Sequence, residues 1–388
     1  MSDLKSSYQV AVVGGGPVGL FLGISLISKG IDCIVLERRA ERITHSRSLG
    51  IHPVSLELMS EFGLAQTFAD AGLKIRRGVA FSDNRKLGTL SFDHCPGPFP
   101  YVLALPQYRT EQLLEEKLLE MAPDRLIRGA EVVDIEEMAS GVTLTLTHVN
   151  NRERITCRML AGCDGKKSKV RKAAGITFSG KRYSDTYLMG DFSDNTDLGS
   201  TAAIYLHSRG LVESFPLDLE SRRWVAKTDS FISDPDREIL QKIVNTRTGY
   251  DLSTTANAML SSFGVQRYMA KPMAKGRTFL AGDAAHIVSP IGGQGMNLGW
   301  LDARDLANLL HQMLAKNRDL SAVVTHYHRK RSRAARKAIR RAELNMALGR
   351  KNASPYARNS LIWMMLNTPL ERLMARVFTM RGLDNWPI

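Results

Sequence analysis

Cysteine is scarce in this chain, with four among 388 residues (Cys33, Cys95, Cys157 and Cys163), and none of them forms a C-x-x-C pair. That excludes a disulfide framework and a paired-thiol redox centre. No apolar run reaches the roughly 20 residues that a membrane-spanning helix needs. The opening residues lack the basic region, apolar stretch and small-residue cleavage site of a secretory signal, so a reduced, cytoplasmic setting is expected. Internal repeats and low-complexity linkers are absent, and no Ser/His/Asp or metal-ligand cluster stands out. Acidic residues are the minority, 39 against 53 Lys+Arg, for a net charge of +14. The imbalance is local. From His311 to Ile388 there are 16 basic and 4 acidic residues, so the body is nearly neutral and the tail carries the charge. No nucleic-acid reading module accompanies it, and nucleic acid is not expected as a partner.

A hydrophobic content of 44% is that of an ordinary globular protein, and the length fits two or three domains. The run YQVAVV (Tyr8 to Val13) reads as a buried strand, followed by the glycine turn GGGPVG, an apolar helix from about Val18 to Lys29, and a second strand, DCIVLER. Parallel strands need such a crossover helix. Short alternating strands follow (VAFSD, LGTLSF, YVLALP), then a helix from about Arg109 to Met121 and a hairpin, VVDIEEM and VTLTLTH. From Thr186 to Thr228 four further strand-like runs (TYLMGDF, TAAIYLH, LVESFPL, RRWVAKT) suggest a separate antiparallel sheet. The order predicts an α/β nucleotide-binding domain interrupted by a β-rich insertion and followed by helices.

Gly14, Gly16 and Gly19 satisfy G-x-G-x-x-G between strand and helix. The first glycine permits a tight turn, the second lets backbone approach a pyrophosphate, and the third allows close helix packing. The helix N-terminus offers unpaired N–H groups to the phosphates. Glu37, at the end of the second strand, can accept the hydroxyls of an adenosine ribose. The turn alone does not separate NAD from FAD. A second glycine cluster bears on that choice. In RTFLAGDAAHIVSPIGGQGMN a strand ends in Gly282-Asp283, and a loop from Pro290 to Gly295 enters another helix at Met296 and Asn297. A carboxylate at the strand end suits a sugar-like hydroxyl, and the helix N-terminus suits an anionic flavin edge.

Three segments, GGGPVG with Glu37, GCDGKKSKVR (Gly162 to Arg171) and GDAAHIVSPIGGQGMN, together resemble the FAD-dependent aromatic hydroxylases, the p-hydroxybenzoate hydroxylase-like or group A flavoprotein monooxygenases. The resemblance implies a Rossmann-like FAD-binding domain with an inserted antiparallel β-sheet substrate domain and C-terminal helices. Its segments would be 1–77, 107–180 and 276–328 for FAD, 78–106 as a β insertion joining the substrate sheet, 181–275 for the substrate sheet, and 329–388 for a basic helical tail.

By the same resemblance, Gly14, Gly16, Pro17, Val18 and Gly19 would contact the FAD pyrophosphate, with Glu37 on the ribose and Arg38 beside the adenine. Arg47 and Gln107 would lie near the pyrophosphate and ribityl chain, and Val133 would give a backbone contact to adenine. Asp283 would hold a ribityl hydroxyl, Gly295, Met296 and Asn297 would cradle the pyrimidine edge, and Asp164 would serve both FAD and NAD(P)H, with a helix cap as its alternative.

The implied activity is hydroxylation of a phenolic or polycyclic aromatic small molecule, with NAD(P)H as transient electron donor and O2 as co-substrate, through a flavin C4a-hydroperoxide. The cofactor carries that chemistry, so no fixed catalytic constellation is expected. Substrate contacts are sought in the β insertion and the glycine loop: His207, Tyr205, Phe215, Trp224 and Pro290 are candidates by location, His207 as an aid to phenol deprotonation. His286 is expected to pack near the flavin loop. Alternatives are a flavin-dependent reductase, an epoxidase or hydroxylase of a prenylated, membrane-associated substrate, and a non-catalytic FAD-binding scaffold. The absence of W-x-W-x-I-P weighs against a tryptophan-type halogenase.

The basic run RKRSRAARKAIRR (Arg329 to Arg341) carries Ala335, Ala338, Ile339 and Ala342 at helical spacing. A second stripe is read from Ile362, Leu366, Leu370, Leu373 and Val377. The leading expectation is a helical cap with a solvated basic face. Peripheral attraction to anionic lipid is the alternative, strengthened by a looser likeness of the tail to ubiquinone-biosynthesis hydroxylases. Oligomeric state stays open.

Overall fold

Five of the eight strands of the first sheet are parallel, in the order Leu126–Arg128, Cys33–Glu37, Ser7–Val13, Asn151–Gly162, Thr278–Leu280. The structure is a computed structural model and describes residues 5–42, 48–83, 85–149, 151–316, 318–351 and 355–383. The central strands read as unbroken apolar runs because helices cover the sheet. Pro17–Ile27 lies between Gln294–Lys316 and Gln107–Met121, and its stretch from Gly19 to Leu26 is buried. The expected hairpin is present as Glu131–Glu137 with Val142–His148, attached through Asn151–Gly162.

The second sheet has eight strands, antiparallel except where Ala202–His207 runs parallel to Arg77–Ser82. Its two faces follow from strict alternation. Leu188, Ala203, Tyr205, Val212, Trp224 and Ala226 turn toward the helix Arg237–Thr248. Tyr187, Met189, Leu206, Leu211 and Val225 turn the other way, toward Ile291 of the glycine loop and Met346 and Ile362 of the tail.

The β insertion expected at 78–106 divides. Arg77–Ser82 and Arg85–Ser91 join the second sheet, whereas Val102–Ala104 pairs with Gly50–Ile51 and Leu73–Ile75 in a separate three-stranded sheet. All three residues of Val102–Ala104 are buried, a demand that the edge of the larger sheet does not meet.

The basic run is part of a helix, Leu320–Gly349, that begins before the expected boundary at 329 and crosses it. Ala335, Ala338, Ile339 and Ala342 are buried, as their spacing predicts. The second stripe is corrected. Pro369 separates the helices Pro355–Asn367 and Leu370–Phe378, so one periodicity does not run through both. Ile362 is buried, but Leu370 and Leu373 face solvent. No described helix is long and apolar enough to cross a membrane.

Candidate active site

Four neighbouring parallel strands end at one level: Val13 pairs with Leu36 and Gly162, and Gly162 with Leu280. The residues just beyond them, Gly14, Glu37, Asp164 and Asp283, therefore line one edge of the sheet, although they are widely separated in sequence. A crevice outside the carboxyl ends of parallel strands is where open α/β sheets bind ligands.

Each glycine of the first turn has its own reason. Gly14 has φ 108°, and a Cβ there would meet the Cys163 carbonyl oxygen at 2.4 Å. A Cβ on Gly19 would come to 1.8 Å from the Gly14 oxygen. Gly16 differs, because a Cβ there would meet nothing within 4 Å. The open side of Gly16 is the room that a pyrophosphate needs above the helix N-terminus.

Glu37 is buried, and its carboxylate accepts from Gly15 N at 2.7 Å and from Arg39 N and Nε at 3.0 and 2.9 Å. Burial alone would raise its pKa; the Arg39 and Gly15 donors outweigh burial and lower it. The arginine that orders Glu37 is thus Arg39. Arg38 is exposed, with no hydrogen bond or ion pair among the described residues. Val133 is half-buried in the strand whose entry is tied to this edge by Ala130 N to the Glu37 carbonyl, 3.0 Å. Gln107 opens its helix with its N–H on the Ser48 carbonyl at 3.2 Å and its amide on Glu111 at 2.8 Å. Arg47 lies outside the described residues.

Asp164 uses one carboxylate oxygen as a cap, accepting from Lys169 N at 2.6 Å and Val170 N at 3.1 Å. Its other oxygen is buried without a partner among the described residues. The capping alternative is real, and it leaves one acceptor for a ligand hydroxyl. Arg171 secures this loop to the next motif. Its guanidinium donates to the carbonyls of Ala284 and Lys166, both at 2.9 Å, and lies 3.7 Å from the centre of the Phe178 ring. Asp283 is exposed to the crevice.

The first and third motifs interlock at Val18. A Cβ on Gly299 would sit 2.5 Å from Val18 Cγ2, and one on Gly282 3.0 Å from it, while Trp300 Nε1 donates to the Pro17 carbonyl at 3.0 Å. The loop from Pro290 turns through Gly292 (φ 87°) and Gly293 (φ 64°) into the helix Gln294–Lys316. Pro290 is exposed and Met296 half-buried, and a Cβ on Gly295 would meet nothing within 4 Å. The first-turn N–H groups of this helix have no intrahelical acceptors, so they suit an electron-rich edge beside Gly295.

Asn297 is a scaffold through its side chain. Its amide donates to the Gly50 and Gly293 carbonyls at 2.9 and 2.8 Å and accepts from His52 N at 2.9 Å, which leaves its backbone for the cofactor. His52, which sequence reasoning missed, holds the Gly292 carbonyl through Nε2 at 3.0 Å. Burial lowers its pKa to about 4 against the opposing pull of that carbonyl, so the ring is neutral and donates there. His286 is likewise buried, with Nε2 2.5 Å from Asp302 Oδ2. Asp302 also takes Arg331 Nε at 2.6 Å, and Asp305 takes Arg331 Nη1 at 2.9 Å. Burial would raise the Asp302 pKa, but His286 and Arg331 bring it down.

The two faces of the second sheet divide the substrate-side candidates. Tyr205 and Trp224 belong to the face under the helix Arg237–Thr248, where Tyr205 stacks on Phe81 at 5.0 Å. His207 follows Leu206 by one residue and shares that far side, its Nδ1 accepting from Arg209 N at 3.1 Å in the hairpin turn. A one-residue difference along a strand reverses the side a residue faces. Phe215 alternates with Leu211 on the opposite, loop-facing side and packs beside Leu49 and Val102.

The FAD binding domain family model matches residues 7–342. An uncharacterised aromatic compound monooxygenase of Bacillus subtilis is 32% identical over 89% of this chain and 69% of its own length. The rifampicin monooxygenase of Streptomyces venezuelae is 33% identical over 77% of this chain, which spans 63% of that relative. Among solved structures, the anhydrotetracycline hydroxylase OxyS of Streptomyces rimosus superposes with a TM-score of 0.81 at 31% identity, over 97% of this chain and 76% of that one. The p-nitrophenol 4-monooxygenase PnpA of Pseudomonas putida shares the fold at a TM-score of 0.87 and 21% identity, over 96% and 98% of the two chains.

Proposed function

This chain belongs to the FAD binding domain family that includes aromatic and antibiotic monooxygenases, and from that we propose an FAD-dependent monooxygenase that hydroxylates a phenolic or polycyclic aromatic small molecule. NAD(P)H is the electron donor and O2 the oxygen source. The observation that supports this best is that Gly16 and Gly295, each with open space where a Cβ would stand, lie at the N-terminal ends of two helices that pack on each other, with an Asp164 oxygen unpartnered among the described residues and the exposed Asp283 at the carboxyl edge of the sheet. Those residues fit a long, bent dinucleotide with acceptors for its hydroxyls and helix termini at both ends.

Bound FAD supplies the activation of O2 and the oxygen that is transferred. The protein's part is placement. Glu37 takes the adenosine ribose, Gly14 to Gly19 the pyrophosphate, Asp164 and Asp283 the ribityl side, and the backbone of Gly295 to Asn297 the pyrimidine edge. The apolar face carrying Met189, Leu206 and Val225 excludes water from the reacting ring. The test is NAD(P)H oxidation by FAD-loaded protein with a panel of phenols and polycyclic aromatics, together with isotopic oxygen tracing. Stimulation by one aromatic with label in the product is expected; flavin bound with no oxygen transfer to any aromatic refutes the reading.

A second reading, contact of the tail with anionic lipid, rests on a separate observation. Tyr356 (81% exposed), Trp363 (55%), Leu361, Met364, Leu370 and Leu373 all face solvent on the last two helices, while Arg333, Arg336 and Arg340 are exposed on the preceding one. Co-sedimentation with anionic but not neutral vesicles at low salt is expected, and equal recovery in both supernatants refutes it.

A further inference from the structure

One carboxylate on the loop-facing side of the second sheet has no counterpart. Glu213 sits in a cross-strand row whose other members are Met189, Val225, Ile204 and Ala80. It is 6% exposed, and no hydrogen bond or ion pair to its carboxyl forms among the described residues. A buried charge without a partner is costly, so such a group in an apolar row calls for an explanation. Burial pushes its pKa up to about 7.

A second unpartnered group shares this face. Tyr187 is 1% exposed, and its hydroxyl is buried with no acceptor or donor among the described residues. It lies close enough to Glu213 for the carboxylate, after burial itself, to raise its pKa. The cations on the neighbouring strand are taken up elsewhere: Arg223 holds Asp191 at 2.6 and 2.8 Å, and Lys227 holds Asp185 at 3.3 Å. Asp185 also receives Arg350 at 2.7 Å. The site therefore combines a hydrogen-bond acceptor and a phenol with apolar walls, and these three cations are already engaged by Asp191 and Asp185.

We infer that Glu213 and Tyr187 form a hydroxyl-recognition pair that selects aromatic substrates bearing a neutral ring hydroxyl and excludes aromatic carboxylates. The Glu213 carboxylate accepts the hydrogen bond from the ring O–H, and the Tyr187 O–H donates to the same oxygen. An aromatic carboxylate would instead bring a second negative charge against Glu213, which has no cation beside it. This deepens the hydroxylase reading and rests on it, because the face is taken as the one that meets the substrate.

The test measures binding of a naphthol, its methyl ether and the matching naphthoate to FAD-loaded protein, read from perturbation of the flavin spectrum, with thermal unfolding as a check on folding. The wild-type protein should prefer the naphthol to the ether by about tenfold or more and should bind the naphthoate weakest. Glu213→Gln should erase most of the preference for the naphthol and admit the naphthoate. Tyr187→Phe should weaken the naphthol alone. An unchanged naphthol-to-ether ratio in both variants overturns the inference. If the ratio depends on Glu213 but no aromatic receives oxygen, the hydroxylase reading falls and the recognition pair stands. If none of the three ligands perturbs the flavin, both fall.

Discussion

Arg331 lies on the apolar stripe of its helix, fully buried, with its guanidinium on Asp302 at 2.6 Å and Asp305 at 2.9 Å. The positive charge of the tail is thus partly structural. Lys330 pairs with Asp305 at 3.0 Å, and Arg341 donates to the carbonyls of Val377 and Arg381. Because Asp302 also holds His286, the same ion cluster sets the third glycine motif. Arg331→Met should cost about 3–5 kcal/mol, since it takes away the buried cation that Asp302 and Asp305 share. Chemical denaturation of the FAD-loaded protein checks this, and a loss below about 1 kcal/mol would show that the cluster is not what holds the helix.

Gly16 and Gly19 should separate cofactor binding from folding. Gly19→Ala forces a carbon into the Gly14 oxygen and should abolish folded protein. Gly16→Val starts from a Cβ with no described atom within 4 Å and should fold normally, with lost FAD. Circular dichroism and the flavin-to-protein absorbance ratio report the two properties independently. Full flavin content in Gly16→Val would place the pyrophosphate elsewhere.

Glu213 should carry a pH-dependent penalty. Its folded pKa is about 7 against an ordinary 4.5, so the folded state binds more protons between those values. Stability from this group is therefore complete below the unfolded pKa and is lost as pH rises through the folded one, by up to about 3 kcal/mol. Glu213→Gln should gain on the wild type between about pH 5 and about pH 8, as read by urea denaturation. A constant difference across that range would contradict the buried, unpartnered placement.

His52 has the opposite sign. Its folded pKa is depressed to about 4 from 6.5, so the stability it contributes is present above the unfolded value and lost as pH falls toward the folded one. His52→Ala should remove that acid sensitivity. It should also cost about 1–3 kcal/mol by leaving the Gly292 carbonyl without its donor. Weaker FAD binding should accompany this, seen as faster flavin release on dilution, because Gly292 anchors the loop entering the second helix terminus.

What could be read from sequence was what local geometry enforces. Gly19 and Glu37 sit in a strand–turn–helix–strand unit, and the contacts that fix them, with the Gly14 oxygen, Gly15 N and Arg39, lie within about thirty positions. Substrate-side residues depend on strand parity and on which face is covered, and a run such as TAAIYLH does not announce whether Tyr205 or Leu206 turns toward the glycine loop. Glu213 in LVESFPL resembles any polar residue on a half-exposed strand until its neighbours prove apolar. His52 was hidden because its partner, Gly292, is 240 positions away. Arg331 did leave a trace: it stands four residues after Tyr327 and four before Ala335, on the same face as the buried alanines.

The helix Leu320–Gly349 touches both sheets. Near its start the Tyr327 hydroxyl donates to the Leu280 carbonyl at 2.8 Å, and at its end a Cβ on Gly349 would stand 1.9 Å from Leu211 Cδ2. Asn345, one turn earlier, faces Gly292, where the added carbon would be 3.2 Å from its Nδ2. A rod fixed at one end and resting at the other acts as a gauge block, translating the number of residues between Tyr327 and Gly349 into the gap between the two sheets. Each added or deleted residue would change that length by about 1.5 Å and swing the far end by about 100°. The spacing of the two sheets is therefore written in the length of a helix that belongs to neither.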